Sequence, residues 1–237
     1  MTKKELITLS DRKLKVNYEK YYANKKKSKL YPTEFILRIF KGSYPKFTIL
    51  KKQQYKSKSI LDLSFGDGRN LFFLRDLGFN VYGTEISKKI IDNFKKKNTT
   101  KKIKLRVGNN LSLPFKDNSF DYLVAWNSFY YLQKNFTIFD NLNEVSRIMK
   151  KGGFFIGSIP LLSSYYFQNS KKIDKYKYLI KNDYLKIRND SYLCGLESST
   201  ELKKILNLNF KKINIAHSFN DYFGIMENLL IFCCQKR

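Results

Sequence analysis

The sequence predicts an α/β fold built on a doubly wound, largely parallel sheet, and three observations support this. From Ser59 onward, short apolar runs alternate with segments whose apolar residues recur at helical spacing. The first apolar run leads directly into a glycine turn that opens a helix, Gly66-Asp67-Gly68. The length of 237 residues suits one large α/β domain better than two domains.

A basic N-terminal segment, residues 1–58, precedes this alternation. One helix is predicted over Asp11–Ala23, and a second begins near Pro32, which the first turn of a helix tolerates. Gly42 ends the second helix. We expect residues 1–58 to form a helical lid over a domain that spans residues 59–237.

Seven strands and four helices are predicted within residues 59–237. The strands are Ser59–Ser64, Val81–Glu85, Ile103–Val107, Tyr122–Asn127, Phe154–Ile159, Phe210–His217 and Leu229–Cys234. The helices are Asn70–Leu77, Lys88–Lys97, Asn135–Met149 and a helix through Leu206 that begins with a capping box at Ser198. We expect an antiparallel final strand, and a cap insertion at about 161–197, where periodicity is lost.

The charge balance is unusual, with 46 basic and 20 acidic residues and a net charge of +26. Such a charge favours nucleic acid as a partner. However, 38 of the 46 basic residues are lysine, and Asn, Phe and Tyr, which share AT-rich codons with lysine, are also plentiful. Arginine, with its planar fork, is the better phosphate reader. Codon composition is therefore a sufficient explanation, and a nucleic-acid partner is possible but disfavoured.

Cysteine and histidine usage excludes other classes of site. The three cysteines contain no CxxC pair, and His217 is the single histidine, so neither a zinc site nor a disulfide framework is expected. The N-terminus lacks a secretory signal, and no apolar run approaches the roughly 20 residues that span a bilayer. We expect a cytoplasmic protein with neither a metal nor a membrane span.

The glycine turn and the acid after the second strand together predict a nucleotide-like ligand. Gly66 and Gly68 let the backbone approach the ligand closely, and the following helix N-terminus adds N–H donors. Glu85 stands 19 residues after Gly66, where a carboxylate accepts hydrogen bonds from ribose hydroxyls. Leu71 occupies the position of the third glycine of a dinucleotide fingerprint, which disfavours an NAD-linked dehydrogenase.

At these residues the chain resembles class I S-adenosylmethionine-dependent methyltransferases of the small-molecule, type 11-like branch. The blocks that carry the resemblance are Ile60–Asn70, Glu85, Gly108–Phe115, Ser119–Tyr122 and Arg147–Gly153. Three positions depart from the family pattern. Ser64-Phe65 makes the glycine loop bulkier, Asn109 replaces the usual Asp, and Tyr130-Tyr131 replaces a His-His pair.

The resemblance implies a Rossmann-like fold and S-adenosylmethionine as cofactor, with S-adenosylhomocysteine as product. It assigns cofactor binding to Tyr22, Arg38, Asp62, Ser64, Gly66, Asp67, Gly68, Asn70, Glu85, Ile86, Asn109, Asn110, Leu111, Trp126 and Asn127. Within this set, Arg38 is expected to meet the methionine carboxylate. Asn109 is expected to accept a hydrogen bond from the adenine amino group through its carbonyl oxygen.

The acceptor side is predicted from residues near the methyl group and in the cap. Candidate catalytic residues are Tyr130, Tyr131 and His217, and candidate substrate-binding residues are Tyr21, Lys181, Arg188 and Tyr192. The cationic entrance and cap favour a small anionic acceptor, phosphate-, phosphoramidate- or sugar-linked, that is methylated on oxygen. The chain also resembles methyltransferases of capsule and surface-polysaccharide clusters. An RNA methyltransferase and a non-catalytic S-adenosylmethionine-binding subunit stay open as alternatives, as does the oligomeric state.

Overall fold

The fold is organised around a seven-stranded sheet in the computed structural model, which describes residues 12–26, 30–50 and 54–237. The sheet has the strand order β10-β11-β6-β4-β1-β2-β3. Its strands are β1 (Ser59–Leu63), β2 (Asn80–Glu85), β3 (Ile103–Val107), β4 (Phe120–Ala125), β6 (Met149–Pro160), β10 (Phe210–Tyr222) and β11 (Ile225–Lys236).

Strand pairing confirms the predicted α/β class. Strand β1 pairs in parallel with both β2 and β4, and β4 pairs in parallel with β6. Strand β11 is inserted antiparallel between β6 and β10. The chain reverses its winding direction at β1, between β2 and β4, and ligands of such sheets bind beyond the carboxyl ends of the strands at this point.

Helices cover both faces of the sheet. They are α1 (Arg12–Asn24), α2 (Glu34–Lys41), α3 (Arg69–Asp76), α4 (Lys88–Lys97), α5 (Ile138–Ile148) and α6 (Ser199–Leu206). Helix α2 buries Ile36 and Phe40 in the apolar cluster on one face, where Phe40 contacts the ring of Tyr122. Helix α1 buries no residue fully, so half-buried rings and polar contacts hold it in place.

The cap forms regular structure that its sequence pattern did not predict. Strands β7 (Lys171–Asp174), β8 (Lys177–Leu179) and β9 (Tyr192–Cys194) join β5 (Tyr131–Leu132) in an antiparallel sheet of order β5-β9-β8-β7. The buried Lys177 ammonium donates to the carbonyls of Lys134 and Phe136, each at 2.7 Å. Strands this short are too brief to show a period-2 pattern.

Several boundaries differ from the prediction. Helix α5 begins at Ile138 because Thr137 and Asp140 form its capping box. Strand β4 ends at Ala125, and Asn127 has a left-handed φ of 53°. Strands β10 and β11 are longer than predicted and join through a tight turn at Phe223 and Gly224. Asp11, the predicted helix start, lies outside the described residues.

Candidate functional site

A cavity of about 590 Å³ lies at the carboxyl ends of the central strands, beneath α1 and the cap. Glu85 ends β2, and Asp62 lies near the end of β1. The sequence-predicted residues that line the cavity are Tyr21, Tyr22, Asp62, Ser64, Gly66, Asp67, Asn70, Glu85, Ile86, Asn109, Asn110, Leu111, Trp126, Asn127, Tyr131 and Arg188.

In the glycine loop, Ser64 has a strained backbone and Phe65 packs into the core. Ser64 adopts a left-handed φ of 55°, a conformation that favours glycine. Phe65 turns into the core against Phe94, with ring centroids 5.1 Å apart. Gly83 on β2 makes room for it, because a Cβ there would lie 2.7 Å from Phe65 Cδ1. The bulkier loop is thus accommodated by a missing side chain on the neighbouring strand.

Glu85 is held at the cavity by backbone donors. Its Oε1 accepts from Gly66 N–H at 2.7 Å and its Oε2 accepts from Ile86 N–H at 3.1 Å. Burial raises the pKa of Glu85 to about 7, although both backbone hydrogen bonds oppose this shift. A carboxylate oxygen has two lone pairs, so each oxygen retains one for a ligand hydroxyl.

The carboxyl groups of Asp62 and Asp67 differ in whether they are free to bind a ligand. Asp62 Oδ2 is buried without a hydrogen-bond partner among the described residues, and burial, together with Glu85 and Asp67, raises its pKa well above the ordinary value. Burial also raises the pKa of Asp67, but its bonds to Arg69 and Lys25 prevail and lower that pKa to about 2. Asp67 is therefore committed to protein partners, whereas Asp62 has an oxygen available for a cationic or donor group.

Asn109 does not have the acceptor role that the sequence predicted. Its Oδ1 already accepts from the backbone N–H groups of Leu111 and Ser112, both at 3.0 Å. These two bonds occupy the two lone pairs of the amide oxygen. Asn109 thus shapes the loop after β3, and its carbonyl is not available to an adenine amino group.

Helix α1 crosses the cavity from the glycine loop to the cap. Near its C-terminal end, the Lys25 ammonium lies 2.6 Å from Asp67 Oδ2. One turn earlier, the Tyr22 hydroxyl covers Gly66, where an added Cβ would lie 2.5 Å from it. A further turn back, the Tyr18 hydroxyl hydrogen-bonds with that of Tyr131. Beside Tyr18, in the middle of the helix, Asn17 donates to the carbonyl of Ile187 in the cap at 3.1 Å.

Arg188 supplies the buried cation of the cap. It is 9% exposed, and its Nη1 lies 2.9 Å from Oδ1 of Asp183, which is fully buried. The guanidinium carbon also lies 4.6 Å from the ring centroid of Tyr166. Burial favours neutral Arg188, but the surrounding tyrosines, Tyr131 first, oppose this and raise its pKa above the ordinary value.

Several predicted site residues lie outside the cavity. Arg38 is exposed, pairs with Glu34 one turn earlier on α2 and does not line the cavity. Tyr130 is fully buried behind Tyr131, with ring centroids 5.0 Å apart. His217 is exposed on β10 and hydrogen-bonds with Asn228 on β11.

Three further predicted residues serve the framework instead. Gly68 precedes α3 with a φ of 81°, and its missing side chain leaves room for Phe94. Lys181 is half exposed and pairs with Asp190. Tyr192 lies on β9 beneath the Lys177 ammonium, 5.3 Å from the ring centroid. These contacts place the three side chains in the structure around the cavity, not in its wall.

Tyr18 and Glu227 are among the cavity residues that the sequence analysis missed. Tyr18 stands four residues before Tyr22, so helical spacing places both on one face of α1, a signal present in the sequence. Glu227, on β11, accepts a hydrogen bond from the Tyr166 hydroxyl. No local pattern marks Glu227, because it reaches the cavity only through the pairing of β11 with β6.

The fold and the cavity define a nucleotide-type ligand site on a doubly wound sheet. Residues 61–157 match the family model described as a methyltransferase domain. Residues 61–157 therefore belong to a class I S-adenosylmethionine-dependent methyltransferase domain, for which S-adenosylmethionine is the cofactor. No cluster of metal-ligating side chains occurs in the described ranges, and none of the helices there is long and apolar enough to cross a membrane.

Known proteins similar to this chain support the fold. An uncharacterized protein of Methanocaldococcus jannaschii is 32% identical over 113 residues, 48% of this chain. The chain matches about half, 46%, of the length of that relative. The crystal structure of the PH0226 protein from Pyrococcus horikoshii aligns with a TM-score of 0.59 at 19% identity, over 92% of this chain and 99% of that one.

A ligand-bound structure has the same fold. The 1,6-didemethyltoxoflavin-N1-methyltransferase of Burkholderia thailandensis, crystallised with S-adenosylhomocysteine, aligns with a TM-score of 0.54 at 13% identity. The alignment covers 76% of this chain and 72% of that one. At such identities the likeness establishes the architecture alone.

Proposed function

We propose that the chain is an S-adenosylmethionine-dependent methyltransferase that methylates an oxygen atom of a small anionic acceptor. The observation that carries this proposal is one cavity lined by both Glu85, beside the glycine loop, and Arg188 of the cap. The first is suited to a ribose and the second to an anion. A role in capsule or surface-polysaccharide biosynthesis is the pathway that the sequence resemblance adds to this proposal.

The residues present fit the cofactor. Glu85 has an unused lone pair on each oxygen for the ribose hydroxyls, and the unpartnered Oδ2 of Asp62 suits the methionine ammonium. Ile86 and Leu111 supply apolar wall for the adenine. When bound, S-adenosylmethionine supplies a methyl group on a sulfonium, which is already activated toward attack by oxygen.

The task left to the protein is alignment and exclusion of water. Holding two reactants in line contributes much of the rate of such a displacement. Tyr22 of α1 and Tyr131 of β5 both line the cavity, and Arg188 holds the acceptor from the cap side. An acceptor oxygen that is already anionic needs no base, consistent with the exposed position of His217 and the buried position of Tyr130.

A small acceptor is favoured over RNA because the cavity is roofed. Tyr18 of α1 and Ile187 of the cap both line it, and Asn17 joins the two segments by a hydrogen bond. A duplex or stem would require this roof to move aside. The basic surface then serves to attract small anions, a long-range effect that weakens with salt.

Binding and turnover test the proposal separately. Calorimetry should show that the full-length protein binds S-adenosylmethionine, and absence of binding would refute the proposal. Methyl-labelled cofactor should then be incubated with fractionated metabolites and nascent surface polysaccharide, and mass spectrometry should locate the new methyl on oxygen. Glu85→Ala serves as the donor-site control.

The alternatives give different results in the same assay. If RNA is methylated and the reaction falls steeply with salt concentration, the acceptor is RNA and not a small molecule. Cofactor binding without turnover on any fraction would indicate a non-catalytic subunit.

A further inference from the structure

Two nitrogen atoms of the Arg188 guanidinium, Nε and Nη2, have no protein acceptor in the described part of the chain. Its Nη1 donates to Asp183 Oδ1 at 2.9 Å and to the Tyr165 hydroxyl at 3.4 Å. Its Nε is buried and unsatisfied, and no hydrogen bond involves Nη2. The Nε and Nη2 hydrogens together form a parallel pair that grips carboxylate or phosphate with two hydrogen bonds.

The orientation of this Nε–Nη2 edge is fixed by buried contacts. Asp183 Oδ2 accepts the backbone N–H groups of Ile187 and Arg188 at 2.9 and 3.1 Å, which folds the cap loop around the ion pair. The Tyr166 ring covers one face of the guanidinium. A buried donor without a partner is costly, and Arg188 lines the cavity, so its unpaired Nε is a donor that a ligand could satisfy.

A further donor comes from α1. The hydroxyls of Tyr18 and Tyr131 hydrogen-bond to each other, and both residues line the cavity. Only one proton lies between two such oxygens, so one hydroxyl proton of the pair is left for another acceptor. Asn17, next to Tyr18 in the chain, donates to the carbonyl of Ile187, next to Arg188, at 3.1 Å, and this contact brings the two segments together.

We propose that Arg188, Tyr18 and Tyr131 form an oxyanion subsite that binds the acceptor through a phosphate or carboxylate group, gripped by the Nε–Nη2 edge. This inference rests on the proposed function and specifies the anchor of the acceptor. It also makes α1 part of the acceptor site, because Tyr18 completes the donor set from that helix.

The subsite lies within reach of the cofactor end. Tyr22 covers Gly66, and Tyr18 stands four residues earlier on the same helix, which is about 6 Å along the axis. An acceptor anchored at Arg188 therefore needs only a short arm to bring its oxygen toward a cofactor held by Glu85. The arm length limits the acceptor to a small molecule or to the terminal group of a larger one.

Inorganic phosphate and acetate are the probes that test the subsite. The full-length protein should be titrated with each by calorimetry, with and without saturating S-adenosylhomocysteine. We expect saturable binding of at least one probe, and a loss of tenfold or more in its affinity for Arg188→Met and Arg188→Lys. The lysine variant keeps the charge but lacks the fork. The preferred probe identifies the oxyanion as phosphate or carboxylate.

Lys181→Met is the matched control, because it removes one unit of positive charge from the same cap but outside the cavity. Its affinity should stay within twofold of the wild type, and Tyr18→Phe should lose three- to tenfold. Equal losses in the Arg188 and Lys181 variants would mean diffuse attraction and would overturn the subsite. So would an Arg188→Lys protein that is folded by circular dichroism and binds both probes normally.

The titration without S-adenosylhomocysteine separates this inference from the proposed function. Probe binding that depends on Arg188, in a protein that binds no cofactor, would support the subsite while refuting the methyltransferase. Cofactor binding with no saturable probe binding would overturn the subsite alone.

Discussion

The two ends of the cavity carry different charged groups and come from different parts of the chain. The wall beside the glycine loop, the proposed cofactor end, has the carboxyls of Asp62 and Glu85, while the cations there, Lys25 and Arg69, are paired with Asp67. The cap end carries the buried Arg188 among tyrosines, and Glu227 accepts a hydrogen bond from one of them, Tyr166. The contrast supports the proposal that a cationic cofactor and an anionic acceptor meet in one cavity.

The two ends also differ in how they are stabilised. The cofactor end is built on strands whose side chains pack in large apolar clusters. The cap end depends on a buried ion pair and on α1, which has no fully buried residue. We therefore expect single substitutions to damage the cap end through lost charge partners and the cofactor end through packing.

The largest effect should come from Asp183→Ala at the cap end. Removing this carboxylate leaves Arg188 buried without its ion partner, which costs about 3–5 kcal/mol in comparable pairs. Urea unfolding should show this loss, while S-adenosylmethionine affinity of the folded protein stays within about threefold of the wild type. Asp190→Ala removes two largely exposed ion pairs, with Lys13 and Lys181, and should cost less than about 1 kcal/mol. Equal costs for the two variants would contradict a buried, structural Arg188.

At the cofactor end, Gly83→Ala tests whether the bulky glycine loop depends on a missing side chain. The added Cβ would lie 2.7 Å from Phe65 and 2.9 Å from Leu105, and overpacking of this kind costs about 1–3 kcal/mol. Chemical denaturation should show the loss. Phe65→Leu in the same chain should recover part of it, since contacting sites are not additive. Additive losses would mean that Phe65 and Gly83 do not share the space.

The difference between the two ends explains what the sequence could predict. Gly66 and Glu85 were recognisable because a glycine turn and a strand-end acid lie at short, regular spacing. Tyr18 and Glu227 were missed because they reach the cavity through tertiary packing, from α1 and from the hairpin. Arg38 was placed at the ligand by analogy, but a nearby carboxylate, Glu34, captures it at helical spacing. The cap sheet was missed because its strands are only two to four residues long.

Glu85→Ala should weaken S-adenosylmethionine binding by about 1–3 kcal/mol, because ribose hydroxyls lose their acceptor. Since burial raises the pKa of Glu85 to about 7, its ionised fraction, and with it the affinity, should rise about tenfold between pH 6 and 8. Calorimetry at several pH values measures this rise. Glu85→Gln should flatten it, although Asp62 nearby also has a raised pKa and leaves some slope. An unchanged profile in Glu85→Gln would place the titrating group elsewhere.

The raised pKa of Glu85 makes cofactor affinity rise with pH, but it makes the stability of the cofactor-free protein fall with pH. The neutral carboxyl is the form that the folded state favours, so the contribution of Glu85 is complete below its ordinary pKa of 4.5 and is lost as the pH rises through about 7. Urea unfolding of the cofactor-free protein should therefore show stability falling across this window relative to Glu85→Gln. A difference that grows in the other direction would contradict the burial of Glu85.

The smallest change in the free energy of unfolding should come from Ser64→Gly. Ser64 has a left-handed backbone conformation in the glycine loop, and glycine adopts that conformation without steric strain. The left-handed conformation costs a non-glycine residue about 1–2 kcal/mol. Glycine avoids this cost, but its greater freedom in the unfolded chain offsets part of the benefit, so the variant should be more stable by about 0.5–1 kcal/mol. Lys102→Gly, at φ 66° in an exposed turn, is the matched control and should gain a similar amount. Only Ser64→Gly should alter cofactor affinity, because Ser64 lines the cavity and Lys102 does not. If both variants gain stability and neither changes affinity, the strain at Ser64 serves the turn alone, and the acidic residues define the cofactor end.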